Sequence, residues 1–321
     1  MSIILEKNKI DHAKVIEKRK INRDNICLFL MLLPAIVLFL AVSLYPFIWA
    51  VRYIFYSYDG FTKEYFVGFD NLIRIFTRDP LYWKSVLQTF EYAVKKLIFV
   101  LPLALIAAVI LSKKLFGKHF FRITFFIPTV ISSAVASLIF YFIFIPYNGI
   151  LNNMLQAVGL IRHPIDWLGD MSKVMGSIVM VAVWAGFGNY MILFLAGLQS
   201  IPDELYESSK IDGANPIQEF IYITIPMLGP VLKIVLMLAI VVALRDYQNI
   251  MVLTNGSPLG RSEVMLLYVY KLLFGDESSQ FASGSQIQYG YGATTGFISS
   301  IIIGIITLIY LKFSKKMDQI Y

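Results

Sequence analysis

An all-α polytopic membrane protein with six helical spans is the fold class this sequence predicts, and three observations carry the prediction. The first is composition: the 321 residues are 58% hydrophobic and only 15% charged, with a mean hydropathy of +0.69. An ordinary soluble domain is about 45–50% apolar and roughly 25% charged, so this chain cannot cover a water-facing surface. The second is a recurrence of apolar runs near the length a helix needs to cross a hydrocarbon core about 30 Å thick. The third is the gathering of Lys and Arg between alternate runs.

Span one covers 26–51 and contains no charge. It is too long for the apolar core of a cleaved leader and lacks a small-residue cleavage site, so it reads as a retained anchor. Span two, 87–112, carries Glu91, Lys95 and Lys96 in its first turns, and only 97–111 is uninterrupted. Glu91 and Lys95, four residues apart, can pair on one helix face. Spans three to six follow at 123–145, 174–198, 228–251 and 293–311. Pro34 and Pro128 are tolerable inside spans, because neighbouring helices can satisfy the backbone groups they free.

Six spans put both termini on one side. Fifteen Lys and Arg lie with the termini, including seven before Ile26, against nine in the three longer loops opposite (52–86, 146–173 and 252–292). The positive-inside rule then predicts cytoplasmic termini. The basic segment 1–25, uninterrupted by Pro or Gly, reads as a helix on the inner leaflet, or else as a solvated flag for topology, and 26–316 as one membrane domain without linkers or repeats. The net charge of +7 suits anionic lipid headgroups rather than nucleic acid. Cys27 stands alone, and His12, His119 and His163 are far apart, which excludes a disulfide framework and a zinc site of the usual spacing.

The loop 200–226, cytoplasmic by this topology, is acidic: Asp203, Glu204, Glu207, Asp212 and Glu219 face a single Lys210. Such a loop is unsuited to an anionic leaflet and suits a protein partner; the competing reading is an ordinary helical turn between two membrane spans. Its grammar is two short helices. Pro202 fits a first helical position with Asp203 and Glu204 in the first turn, Gly213 ends the first helix, and Asn215 caps a second that begins at Pro216. Ser208 and Ser209 beside Glu207 leave room for a partner to approach.

Glu207-Ser-Ser-Lys-Ile-Asp-Gly213 followed by Ile223-Thr-Ile-Pro226 resembles the EAA loop of binding-protein-dependent ABC importer permeases, in the maltose-permease-like, carbohydrate-uptake branch. Phe121-Arg-Ile-Thr-Phe-Phe-Ile-Pro128, Trp184-Ala-Gly-Phe-Gly-Asn-Tyr190, Leu195-Ala-Gly-Leu-Gln-Ser-Ile-Pro202 and Leu253-Thr-Asn-Gly-Ser-Pro258 are similar to family segments in the same order. The resemblance spans roughly 26–316. Ser208 and Ser209 stand for the paired Ala, Ile225 for the usual Leu, and Ser257 for a common second Gly. The last could alter a turn that needs a glycine's φ.

The resemblance implies a type I ABC importer permease fold, in which the loop is a coupling helix docked in a cytoplasmic ATPase. Glu207 would be the charged contact, Asp212 a supporting one, and Gly213 the bend. Ser208 and Ser209 would complete that surface. It also implies as partners a second homologous permease, an ATPase dimer and an extracytoplasmic solute-binding protein, within the bacterial inner membrane. No GxxxxGK[ST] loop occurs in the chain, so the expectation is no cofactor here, with ATP and Mg on the ATPase, and no enzymatic activity of its own.

Polar groups at membrane depth are expensive unless they face a cavity or the bundle interior. Span five supplies Arg245, Asp246, Tyr247, Gln248 and Asn249. Span four supplies Trp184, Asn189 and Tyr190, at positions that resemble sugar-contacting ones in the maltose permease. Aromatic faces suit the C–H faces of sugars, and the Arg245 guanidinium would suit a carboxylated one. The competing readings are packing aromatics and an adjacent Arg245–Asp246 structural pair. For the whole chain, an ion-coupled secondary carrier would predict broken helices, inverted repeats and acidic groups in mid-membrane. A membrane-bound enzyme would need clustered carboxylates or His at the surface.

Overall fold

The computed structural model describes residues 26–61, 64–113, 115–275 and 287–317; the predicted surface helix over 1–25 lies outside them. The chain forms two compact units, Met1–Ile54 and Phe55–Tyr321. The first holds all but the last residue of the anchor helix α1, Ile26–Phe55. Its middle widens into a π-helical stretch, Phe39–Leu44, where Tyr45 donates five residues back to Leu40. Pro46 follows at once, and its missing N–H removes the four-back bond that would have tightened this turn.

The second unit opens with a two-residue antiparallel pair, β1 (Tyr56–Ser57) and β2 (Tyr65–Phe66), with Tyr56 opposite Phe66. A short helix α2, Asp70–Thr77, leads to α3, Pro80–Ser112. This helix starts seven residues before the predicted span. Asp79 supplies the cap, accepting from Tyr82 N at 3.0 Å, and Pro80 fits the first turn, while Ser85, Gln88 and Thr89 are buried by neighbouring helices. Along α3, Val100, Ala104, Ala108 and Leu111 form a helical-period stripe that packs against Met191, Phe194, Leu195 and Leu198 of α7, Val174–Leu198.

Span three, predicted as one helix, is two: α4, Lys118–Val130, and α5, Ser133–Phe144, bent by 97°. Pro128 weakens the end of α4, Ile131 is extended, and Ser132 caps α5 by accepting from Val135 N. Helix α6, Ile150–Ala157, precedes α7. Gly188 lets α4 and α7 touch, since a Cβ there would lie 2.4 Å from the Phe125 carbonyl oxygen.

After α7 come α8, Asp203–Ile211, and α9, Pro216–Met227, which bends by 72° into span five. Pro230 sits in the first turn beyond the bend and cannot donate back across it. Phe220–Thr224 is a second π-helical stretch, again two residues ahead of a proline, Pro226. Span five is also broken farther along, into α10, Gly229–Arg245, and α11, Gln248–Leu253, with Asp246 extended at ψ 121°. The predicted 252–292 loop contains a helix, α12, Met265–Phe274. Its ten residues are too few to cross a bilayer, and it lies buried against α3 and α13, Tyr289–Met317. Among the described residues four helices are long and apolar enough to cross a membrane, and up to six spans result if each bent pair counts once, in line with the predicted number.

Candidate functional site

The acidic loop folds as the sequence grammar predicts, with one shift: Pro202 is the cap and Asp203 the first helical residue of α8. Gly213 takes φ +80°. Its N–H donates to Lys210 O at 3.1 Å and that of Ala214 to Ser209 O at 2.9 Å, the paired bonds of a Schellman ending. Asn215 caps α9 in a reciprocal box with Gln218. Tyr206 and Thr224 hydroxyls meet at 3.0 Å, and Ser209 Oγ donates to Glu219 Oε1 at 3.4 Å. These bonds fasten α8 to α9, and α9 continues into α10. The unit is a stiff lever on span five.

Glu207, Ser208, Asp212 and Gly213 are exposed on it, and Ser209 is half-buried between the two helices. Two residues that charge-based reading misses flank the turn: Ile211 and Ile217, 86% and 70% exposed. Apolar side chains so open, next to carboxylates, are what a docking surface presents. Their signal in the sequence is faint, because isolated isoleucines in a membrane protein are unremarkable.

At the other break, between α10 and α11, the structure gathers part of the predicted path. Asp246 Oδ2 accepts from Lys96 Nζ and from Tyr92 OH, both at 2.6 Å, and Asn249 Nδ2 lies 3.3 Å away. Ser137 Oγ of α5 donates to Asn249 Oδ1 at 3.1 Å. Lys96 and Asp246 side chains are only 6% and 11% exposed. The adjacent Arg245–Asp246 pair is therefore not formed. The break turns the carboxylate inward and leaves Arg245 exposed, with no polar partner among the described residues. Gln248 and Asn189 are likewise exposed. Tyr190 is buried in the α3–α7 core, and Trp184 packs edge-on against Phe140 with ring centroids 5.1 Å apart. Tyr92, Lys96 and Ser137 are members that sequence reading missed. Their one sign is the four-residue spacing of Tyr92 and Lys96, which names no partner 150 residues away.

Beside this cluster the predicted Glu91–Lys95 pair is present at 2.7 Å. Arg261 adds a bidentate grip on Glu91, at 2.8 and 2.7 Å, tying α3 to the segment before α12. That segment turns through left-handed residues at Asn255, Gly256, Leu259 and Gly260. Ser257 is not one of them, so no glycine is needed there.

A helical bundle with a polar break at membrane depth and a capped helix–turn–helix lever at one end has the parts of a transport subunit worked from outside itself. The model of the family described as binding-protein-dependent transport system inner membrane component matches residues 100–319, and the chain belongs to that family of multi-pass, non-catalytic permease subunits. It is 33% identical to the probable ABC transporter permease protein YurN of Bacillus subtilis over 92% of this chain and 98% of that one. It is also 33% identical to the arabinooligosaccharides transport system permease protein AraP of the same organism, over 89% and 88% of the two chains. A bacterial ABC transporter involved in the import of the acidic polysaccharide alginate has the same fold, with a TM-score of 0.76 at 23% identity and coverage of 93% and 98%.

Proposed function

We propose that this chain forms half of the translocation path of an ATP-driven, binding-protein-dependent oligosaccharide importer. The observation that carries the reading is the capped α8–α9 lever, continuous with span five and exposing Glu207, Asp212, Ile211 and Ile217. A rigid element fixed to a broken span converts closure of an ATPase dimer into movement of packed helices. Glu207 and Asp212 make the polar contacts with the ATPase, Ser208 and Ser209 allow close approach, and Gly213 sets the turn. ATP and Mg reside on that partner. A second homologous permease supplies the other half, because six helices alone leave little room for a sugar-sized path. A solute-binding protein delivers substrate from the opposite side.

The Lys and Arg distribution supports termini and lever in the cytoplasm. The oligosaccharide assignment is supported by the family and by relatives such as the arabinooligosaccharide permease. Trp184, Asn189, Tyr190, Arg245, Asp246, Gln248 and Asn249 are the path residues in this reading; Asn189, Arg245 and Gln248 are free to meet solute, while Asp246 and Asn249 shape the break. The broken helices also suit an ion-coupled carrier, but that mechanism needs a carboxylate free to cycle a cation. Asp246 is held by Lys96 and Tyr92, and Glu91 by Arg261 and Lys95.

The test is co-purification of the ATPase with the tagged permease. The wild-type chain brings the ATPase down and Glu207→Arg loses it while remaining folded in the membrane. Retention of the ATPase by Glu207→Arg together with full ATP-dependent uptake would overturn the reading.

A further inference from the structure

Charge at the break between α10 and α11 is unevenly paired. Helix α10 ends at Arg245 and the extended Asp246 sends the two neighbouring side chains apart. Asp246 is neutralised by Lys96 inside the bundle, at 2.6 Å, with Tyr92 on the same oxygen. Arg245 has no counter-ion among the described residues and is exposed. It lies sixteen residues along α10 from Gly229, about 24 Å at 1.5 Å per residue, inside the span predicted at 228–251. An unpaired guanidinium facing lipid at that depth is costly, and such groups face the bundle interior or a water-filled cavity instead.

A second locally basic cluster lies on α3, a few residues before Lys96. Glu91 has two basic partners, Lys95 and Arg261, and Lys95 keeps 44% of its side chain exposed. That triad carries one net positive charge. Low-dielectric walls focus such a field and raise the local concentration of anions.

We infer that the path selects saccharides bearing carboxylates, with Arg245 as the residue that contacts the carboxylate and Lys96 as a positioning residue that keeps Asp246 from cancelling it. This rests on the importer reading above. The planar guanidinium fork matches a carboxylate with two parallel bonds, and Asn189 and Gln248 are open for hydroxyls. A single unpaired arginine matches the single charge of a uronate better than the nearly double charge of a phosphomonoester.

The experiment uses the permease assembled with its partner permease and ATPase in nanodiscs, titrated with trigalacturonate and with its carboxyl-reduced, neutral counterpart. The expected preference for the uronate is about tenfold or more, the effect of one charge-assisted pair. Arg245→Gln brings the two affinities together. Lys96→Met, which frees the Asp246 charge, lowers the preference several-fold, and Lys96→Met with Asp246→Asn restores it. Equal affinities in the wild type, a preference surviving Arg245→Gln, or a double variant no better than Lys96→Met would each overturn the inference. ATPase retention, scored on the same samples, separates its failure from failure of the importer reading.

Discussion

Lys96 and Asp246 form a buried contact that is costly to leave half-made. Desolvating two charges is repaid only while both are present, and removing one partner of a buried pair costs about 3–5 kcal/mol. Lys96→Met is therefore expected to lower the unfolding temperature in detergent, and Asp246→Asn added to it should recover most of the loss. Recovery fails if Lys96 acts through packing alone. At Glu91 the bidentate geometry of Arg261, with bonds of 2.8 and 2.7 Å, makes Arg261→Lys a real change, since an ammonium cannot supply the fork.

At the scale of the element, the two glycines that matter are Gly213, in the Schellman turn, and Gly188, at the close crossing of α4 and α7. A methyl group on Gly213 meets nothing within 4 Å, so Gly213→Ala costs only the left-handed backbone, about 1–2 kcal/mol. Amide exchange at the end of α8 should speed up, and ATP-coupled uptake should fall without loss of the fold. Gly188→Val is the opposite case: its Cβ collides with the backbone of α4, 2.4 Å from Phe125 O. Overpacking of this kind costs about 1–3 kcal/mol and should appear as a lower unfolding temperature with the lever intact.

For the whole molecule, the open question is which side of the membrane holds the lever. Cys27 is the only cysteine, so Cys27→Ser gives a clean background for a reporter. Asp212→Cys on that background should react with an impermeant maleimide in inside-out vesicles and be protected in intact cells. Labelling in intact cells would reverse the topology and remove the basis for coupling to an intracellular ATPase. Glu207 is exposed, so Glu207→Arg should shift stability by no more than about 0.5 kcal/mol while abolishing ATPase capture.

Local chemistry in the sequence was enough for the number of spans, the glutamate–lysine pair at 91 and 95, and the grammar of the lever. Those depend on residues within a few positions of one another, where hydropathy, capping and glycine conformation act directly. The break at Asp246 and the burial of α12 are different. Each is stable only because a distant element satisfies it: Lys96 and Tyr92 neutralise and bond the carboxylate at the break, and α3 with α13 covers a ten-residue helix too short to span a bilayer. Adjacent Arg245 and Asp246 look like partners when read along the chain. Only the tertiary structure separates them, because a charge at membrane depth is governed by the nearest counter-charge in space, whatever its distance in sequence.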